Sequence, residues 1–473
     1  MPGEVVDRGG LRRFGFRWWL GRQVRRPGAV VVVGFAGGIA VVTLLLLLPV
    51  ATAAGEHTRF RDALFTATSA VCVTGLTVVD TPAHWSAFGE ISILVGIQLG
   101  GLGFMTSASL LGLTVARRLG LRSQLLAAAE THAVSLGDIR RVVRGIALFS
   151  FATELIVAVA LILRLWLGHG RGIGRAAYEG VFHAVSSYNN AGFALYPDSL
   201  IGFATDPFVC LPIAAAVVVG GLGIPVLLEL RRELRTPKTW SVHTKIALLG
   251  SALLLVGGWA TFAAFEWHNP ATLGPLDVPG KLLVGLFQGG VQPRTAGFNA
   301  IDYAQANETS LLVTDILMFI GGAPGGTAGG IKVTTFFVLF FAILNEVRGD
   351  PSVDVFRREI PNEVVRQALS VALLGVALVV SATLTLLAIT DLDLDRVLFE
   401  AVSAFGTVGL STGITASLPT AAQYVLILLM FTGRLGPITV ASALALRQRR
   451  KLFRYPQERP VVGYDPGSRS LAS

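Results

Sequence analysis

The sequence predicts an all-α integral membrane protein in which one unit is used four times, in parallel, around a common axis. The unit is a helix, a short re-entrant helix, an extended loop and a second helix. Three observations carry this. The chain of 473 residues is 52% hydrophobic and 15% charged, with a mean hydropathy of +0.64. Its charges gather between apolar runs that a water-soluble fold could not cover. And one outline occurs four times, in ALFTATSAVCVTGLTVVD, VFHAVSSYNNAGFAL, LFQGGVQPRTAGFNA and LFEAVSAFGTVGLST. Phe65, Phe182, Phe287 and Phe399 each precede a glycine, Gly75, Gly192, Gly297 or Gly409, by 10 residues, and those glycines are 117, 105 and 112 residues apart. Copies at domain-sized spacing point to parallel units around one centre.

Residues 1–28 hold seven arginines with Trp18 and Trp19 and no cleavage-site pattern, so they read as a basic cytoplasmic arm at the membrane interface. The first unit (29–118) has a span near 29–51, a short helix near 61–72 and a span near 86–115. The second (140–232) has elements near 143–165, 176–187 and 207–230. The third (243–348) has them near 245–265 and 279–290, with a last span from about 310. The fourth (364–447) has them near 366–389, 395–405 and 421–446, and a tail (448–473) follows. This makes eight crossings and four half-crossings.

Charge placement orients the units. Arg117, Arg118, Arg122, Arg140, Arg141 and Arg144 fall between units one and two. Arg231, Arg232, Arg235, Lys238 and Lys245 fall between two and three, and Arg348, Arg357, Arg358 and Arg366 between three and four. The tail adds Arg447, Arg449, Arg450, Lys451 and Arg454, whereas the opposite loops carry Asp80, Asp198, Asp206, Glu308, Asp391 and Asp393. The positive-inside rule places both termini in the cytoplasm of a plasma-membrane protein and turns all four glycine loops outward. The charge of +9 serves topology rather than nucleic acid, and Cys72 and Cys210 read as buried thiols.

Loops returning from half-crossings cannot face lipid, because unpaired backbone groups there cost several kcal/mol. Enclosed around an axis, their carbonyls can replace the hydration shell of a cation, and glycine permits the crowded backbone this needs. The loop walls are Val73-Thr74-Gly75, Asn190-Ala191-Gly192, Thr295-Ala296-Gly297 and Thr407-Val408-Gly409, with no carboxylate at their level. Uncharged oxygens suit a monovalent ion better than calcium. The expected ligands are the backbone carbonyls of Thr74, Gly75, Ala191, Gly192, Ala296, Gly297, Val408 and Gly409. Asn189 and Asn190 either present amide oxygens to ions or brace the loop, bracing being the favoured role. Arg294 would repel cations if it faced the axis, and is expected instead to hold the outer loop by hydrogen bonds, with a surface role as the remaining alternative.

The second helix of unit three departs from the others, with six glycines and a proline in residues 321–330. Close helix packing is one explanation. The other is a broken helix whose Gly321, Gly322, Gly325, Gly326, Thr327, Ala328, Gly329 and Gly330 lie in the pore beneath the filter. Lys332 either caps the resumed helix or cooperates with the break, and Arg434 lies too deep in the last span for snorkelling to be the first choice. Glu154 and Asp315 also stand in apolar spans without a partner legible from sequence. The fold class is therefore four helix–pore-helix–filter-loop–helix repeats in pseudo-fourfold symmetry around one pore. A sodium-coupled solute transporter fits less well, since its broken helices belong to inverted repeats. No nucleophile–base spacing supports an enzyme.

The segments TSAVCVTGLTVVDT, HAVSSYNNAGF, PRTAGFNAID, AVSAFGTVGLSTG and FTGRLGPIT resemble the Ktr/Trk/HKT superfamily of potassium and sodium transporters over about residues 30–450, most closely the Ktr membrane subunit. The related Trk subunits often carry two further N-terminal helices where this chain has its basic arm. The resemblance implies potassium uptake through a homodimer with one pore per monomer, on a cytosolic ring of nucleotide-binding regulatory subunits. The nucleotide then belongs to that partner, and this chain has no covalently bound cofactor. It also maps the family's selectivity glycines onto Gly75, Gly192, Gly297 and Gly409, and an intramembrane gating loop and a nearby arginine onto residues 321–330 and Arg434. Several sodium-preferring plant relatives have serine at the first glycine. Gly75 thus implies the potassium-permeable form, with sodium left open as a second permeant ion.

Overall fold

A computed structural model of the chain describes residues 27–118 and 136–446, and the side chains of 29–108 and 143–436. The basic arm before Pro27, Arg122 and the tail arginines and lysine from Arg447 to Arg454 lie outside the described residues. The protein is a multi-span α-helical membrane protein. Among the described residues five continuous helices are long and apolar enough to cross a bilayer, or six if one bent pair is counted as a span.

Helix α1 (Pro27–Leu46) is followed by α2 (Phe60–Val71) and α3 (Ala87–Arg118). At 1.5 Å per residue, α2 extends about 18 Å, well short of the roughly 30 Å hydrocarbon core. It therefore ends inside the bundle, buried along most of its length from Asp62 to Val71. The same order returns in α4 (Leu136–Leu163), α5 (Ile173–Tyr188) and α6 (Pro207–Leu222). Helix α7 (Ile224–Glu233) follows α6 at once, bent from it by 96°. Next come α8 (Val242–Glu266) and α9 (Val278–Val284), which runs on through a wider π turn to Val291. Helices α10 (Glu308–Phe319) and α11 (Val333–Arg348) are separated by the glycine-rich segment. A two-stranded hairpin, β1 (Val353–Val355) and β2 (Arg358–Ile360), leads to α12 (Asn362–Ile389), α13 (Leu394–Gly406) and α14 (Thr420–Leu446).

Local chemistry explains several boundaries. Asp206 precedes Pro207 and accepts from the Phe208 N–H, so α6 begins with a side-chain cap and a proline whose missing N–H is not needed. Asp277 and Ser241 cap α9 and α8 through the Gly280 and Thr244 N–H groups. Gly349, in the left-handed region at φ +76°, ends α11. Outward-facing Leu44, Ile156, Leu253 and Leu384 stand exposed, as lipid allows and water would penalise.

One expected span is not continuous. The run near 207–230 breaks at Gly223 (φ +80°), within Gly220-Gly221-Leu222-Gly223-Ile224-Pro225. Unit three was the only expected site of a break, so the structure adds a second. Gly100, Gly101 and Gly103, by contrast, sit within the unbroken α3. The small size of the first two serves contact, for a methyl group on Gly100 would overlap the Val71 carbonyl and one on Gly101 the Asn189 amide, whereas Gly103 has open space beside it.

Candidate functional site

The four short helices end at one level, and after each the chain makes the same turn. The residue eight positions after each phenylalanine is left-handed: Val73 (φ +58°), Asn190 (+58°), Thr295 (+70°) and Thr407 (+48°). So is the glycine two residues further on, Gly75 (+96°), Gly192 (+71°), Gly297 (+79°) or Gly409 (+94°). Alternating handedness turns successive carbonyls toward one side of the strand. Positive φ is rare for non-glycine residues and an outlier for β-branched ones. Val73, Thr295 and Thr407 hold it because both flanking segments are pinned.

The pins are hydrogen bonds back to each short helix. Ser69 Oγ accepts from the Gly75 N–H and Ser403 Oγ from the Gly409 N–H, at 3.0 and 3.1 Å. Ser186 Oγ donates to the Phe193 carbonyl. Unit three has Val291 in place of that serine and uses Gln292, whose Oε1 accepts from the Phe298 N–H at 2.9 Å. A second row braces the outer rim. His183 Nε2 accepts from the Leu195 N–H, Gln288 Oε1 from the Ala300 N–H, and the Glu400 carboxylate from Ser411 and Thr415.

The four loops meet in a ring, in chain order. A methyl group added to Gly75 would overlap the Ala191 carbonyl oxygen, and one on Gly192 would lie 2.7 Å from that of Ala296. One on Gly297 would overlap the Val408 carbonyl, and one on Gly409 the Thr74 carbonyl, which closes the circle. The structure thus brings all twelve wall residues together. The short helices point their C-terminal carbonyls at this ring, which favours a cation there. Above it opens a cavity of about 350 Å³ lined by all four glycines and by Asp80, Asp198 and Asp302. Partial burial raises the Asp80 pKa above the usual carboxylate value.

Below the ring, residues 320–332 form a non-helical loop. Its two arms pair at the neck, Gly321 N–H to Ile331 carbonyl at 2.7 Å and Val333 N–H to Gly322 carbonyl at 3.0 Å. Its tip lies against the break after α6. Ala323 N–H bonds the Gly221 carbonyl and Thr327 N–H the Gly220 carbonyl, at 2.9 and 3.0 Å. A helix end leaves four carbonyls without intrahelical partners, and a loop leaves N–H groups unpaired. Two interrupted helices here satisfy one another.

Two buried cations hold the loop. Lys332 Nζ donates to the Ala328 carbonyl at 2.6 Å, and Arg434 Nη1 donates to that of Thr327. Lys332 thus folds back on the loop as well as opening α11. Both charges lie over the ring of Phe104 on α3, 5.0 Å and 4.3 Å from its centre. Phe104 was not among the expected residues, since nothing in Gly103-Phe104-Met105 distinguishes it from core.

Arg294 is elsewhere than expected. It lies on the loop side of the ring, buried, donating to the Ile320 and Gly321 carbonyls at 2.8 and 2.9 Å. The carbonyls freed where α10 stops attract a guanidinium more strongly than the solvated rim does. Asn189 braces, donating to Gln98, to Glu154 and to the Val185 carbonyl. Glu154 therefore pairs with amides rather than a cation, whereas Asp315 Oδ1 has no partner among the described residues.

The TrkH family, described as cation transport proteins, matches residues 38–455. Ktr system potassium uptake protein B of Bacillus subtilis is 38% identical over 437 residues, covering 92% of this chain and 97% of that protein. The Vibrio alginolyticus protein of the same name is 38% identical over 435 residues, covering 92% and 94%. Potassium/sodium uptake protein NtpJ of Enterococcus hirae is 35% identical over 450 residues, covering 93% and 97%. The crystal structure of the potassium transporter TrkH from Vibrio parahaemolyticus shares the fold, with a TM-score of 0.64 at 18% identity over 86% of this chain and 84% of that one.

Proposed function

The chain belongs to the TrkH family of cation transport proteins, a potassium/sodium uptake transporter of the Ktr/Trk type rather than an enzyme, and on that premise we propose that it is the potassium-translocating subunit of a Ktr-type system. The observation that carries this reading is the ring, with four loops of matched backbone each setting a carbonyl against the preceding loop's glycine. In this reading the four repeats surround one pore in pseudo-fourfold symmetry. A potassium ion drawn into the acidic mouth sheds part of its hydration to the carbonyls of Thr74, Ala191, Ala296 and Val408 and of the four glycines. It then meets the loop at residues 321–330, which Lys332 and Arg434 hold across the path as a gate. Their positive charge raises the barrier for a cation while the loop is in place.

With both termini cytoplasmic, the membrane potential supplies about 2.3 kcal/mol per charge per 100 mV toward entry. The subunit works as a homodimer on a cytosolic nucleotide-binding ring. The names of the Bacillus and Vibrio relatives, each a Ktr system protein, support a place in a multi-component system. A second reading, a sodium-permeable or sodium-coupled cation transporter, is favoured by the potassium/sodium uptake relative. Ion flux through the full chain in vesicles, with potassium or sodium as the only permeant cation, separates them. Saturable potassium current that sodium does not replace supports the first reading, and sodium current of equal size overturns it.

A further inference from the structure

The Gly-rich loop and the ring are joined by side chains, and the joints fall on the left-handed residues that shape the ring. Thr327 Oγ1 donates to Asn190 Oδ1 at 2.8 Å and lies 3.2 Å from the Tyr188 carbonyl. Asn190 Nδ2 in turn donates to the Arg294 carbonyl at 3.4 Å, so one amide spans loop, second strand and third strand. The Gly329 N–H donates to Thr295 Oγ1 at 3.2 Å. Thr407 sits against Gly329 from the fourth strand, where an added methyl would overlap its hydroxyl. Val73, at the same place in the first unit, has no polar atom and packs against Gly100 instead. All four side chains are buried at 0–1% exposure.

We propose that Asn190 and Thr295 are positioning residues that latch the loop to the ring, so that the position of the loop sets the ion preference of the filter. This rests on reading the loop as the gate. A hydrogen bond of 2.8 Å is lost once its ends separate by roughly 1 Å more. Any movement of Thr327 that clears the axis therefore frees the Asn190 amide and, through it, the second and third strands of the ring. The third strand holds at Thr295 a backbone angle that is costly for a β-branched residue unless surrounding contacts enforce it, while Asn190 takes its angle readily and is held by its amide. The closed loop supplies part of that enforcement. The latched ring is narrow in its choice of ion, and the unlatched ring relaxes and discriminates less. The coupling is one-sided, because the second and third units bond the loop, whereas Val73 of the first has no polar atom and the Thr407 hydroxyl of the fourth has no hydrogen-bond partner among the described residues.

The test compares Thr327→Val, which removes the hydroxyl at nearly constant shape, with Thr327→Ser, which keeps it. The full chain is reconstituted in vesicles, and two quantities are read. One is rubidium flux. The other is the ratio of sodium to potassium concentrations that give half-maximal protection against thermal unfolding, which needs no flux. Thr327→Val is expected to raise flux and to bring the protection ratio about fivefold closer to unity, as expected for one hydrogen bond. Thr327→Ser should keep the wild-type ratio. In an Asn190→Gly background, where glycine accepts the left-handed angle, Thr327→Val should produce no further change in the ratio. Raised flux at an unchanged ratio overturns the latch while leaving the gate intact. Unchanged flux in both Thr327→Val and Lys332→Gln, with ion protection retained, overturns the gate and the latch together.

Discussion

The ring and the loop beneath it are built from the same residue types, glycine, threonine and alanine, yet they are fastened differently. Each strand of the ring is tied to its own short helix, as Gly75 to Ser69 and Gly409 to Ser403, six residues apart in sequence. The loop has near ties of its own, from Lys332, Arg294 and Thr295, but it is also tied across units, with 137 positions between Asn190 and Thr327 and 107 between Thr327 and Arg434. Local ties form with the helix and are lost only with it. Distant ties depend on how two units sit together and break when one moves. The same composition thus gives a ring whose frame is fixed by local bonds and a barrier whose bonds between units can be released.

The contrast is broken most severely at the ring. Gly75→Ala meets both a left-handed backbone and the neighbouring Ala191 carbonyl, a strain of about 1–3 kcal/mol from the backbone alone. It should abolish potassium flux in vesicles, and Gly75→Ser should at least reduce the preference for potassium over sodium. Retained flux and preference in both would mean that this glycine does not line the path.

A smaller effect is expected at the loop. Arg434→Gln removes the charge over Phe104 and the donor to Thr327, so potassium leak should rise by roughly an order of magnitude, consistent with about 1–3 kcal/mol for a charged hydrogen bond. Phe104→Leu, which removes the aromatic face shared by Lys332 and Arg434, should raise leak a few-fold, for about 0.5–1 kcal/mol of cation–π attraction. Equal leak in Phe104→Leu and the parent would reduce that ring to packing.

The local braces should be milder still. Ser69→Ala and Ser403→Ala each remove one acceptor, worth about 1 kcal/mol, and should weaken potassium protection against unfolding a few-fold without opening the loop. Leak equal to that of Arg434→Gln would contradict the division between fixed ring and releasable barrier. The smallest effect is electrostatic. Because the Asp80 pKa is raised, its carboxylate begins to take up protons sooner as pH falls, and the mouth loses negative charge. Uptake at subsaturating potassium should fall by about twofold on acidifying that side, and Asp80→Asn should remove this part of the pH dependence.

Much of the ring was legible in the one-dimensional pattern. A phenylalanine ten residues before a glycine, four times over, marks a short helix and its returning loop, and glycine names the place where two backbones approach. The glycine- and proline-rich run at 321–330 likewise marks a break, because no helix of ordinary stability tolerates it. These are local properties, fixed by backbone sterics and by hydropathy along the chain.

Other features depended on distant segments meeting. The break at Gly223 follows from the loop of another unit filling the gap it leaves, so its glycines read as one more small-residue span until that partner is in place. Arg294 reads as a rim residue because sequence gives its distance from Gly297 but not the side to which it turns. Phe104 is an ordinary apolar residue until two cations from other helices arrive over its ring. Sequence alone determined where the backbone could leave the helix, since that is set by neighbours along the chain. Which of the exposed carbonyls, amides and charges then satisfied one another was decided only by the tertiary structure, because in a membrane each must find its partner within the protein.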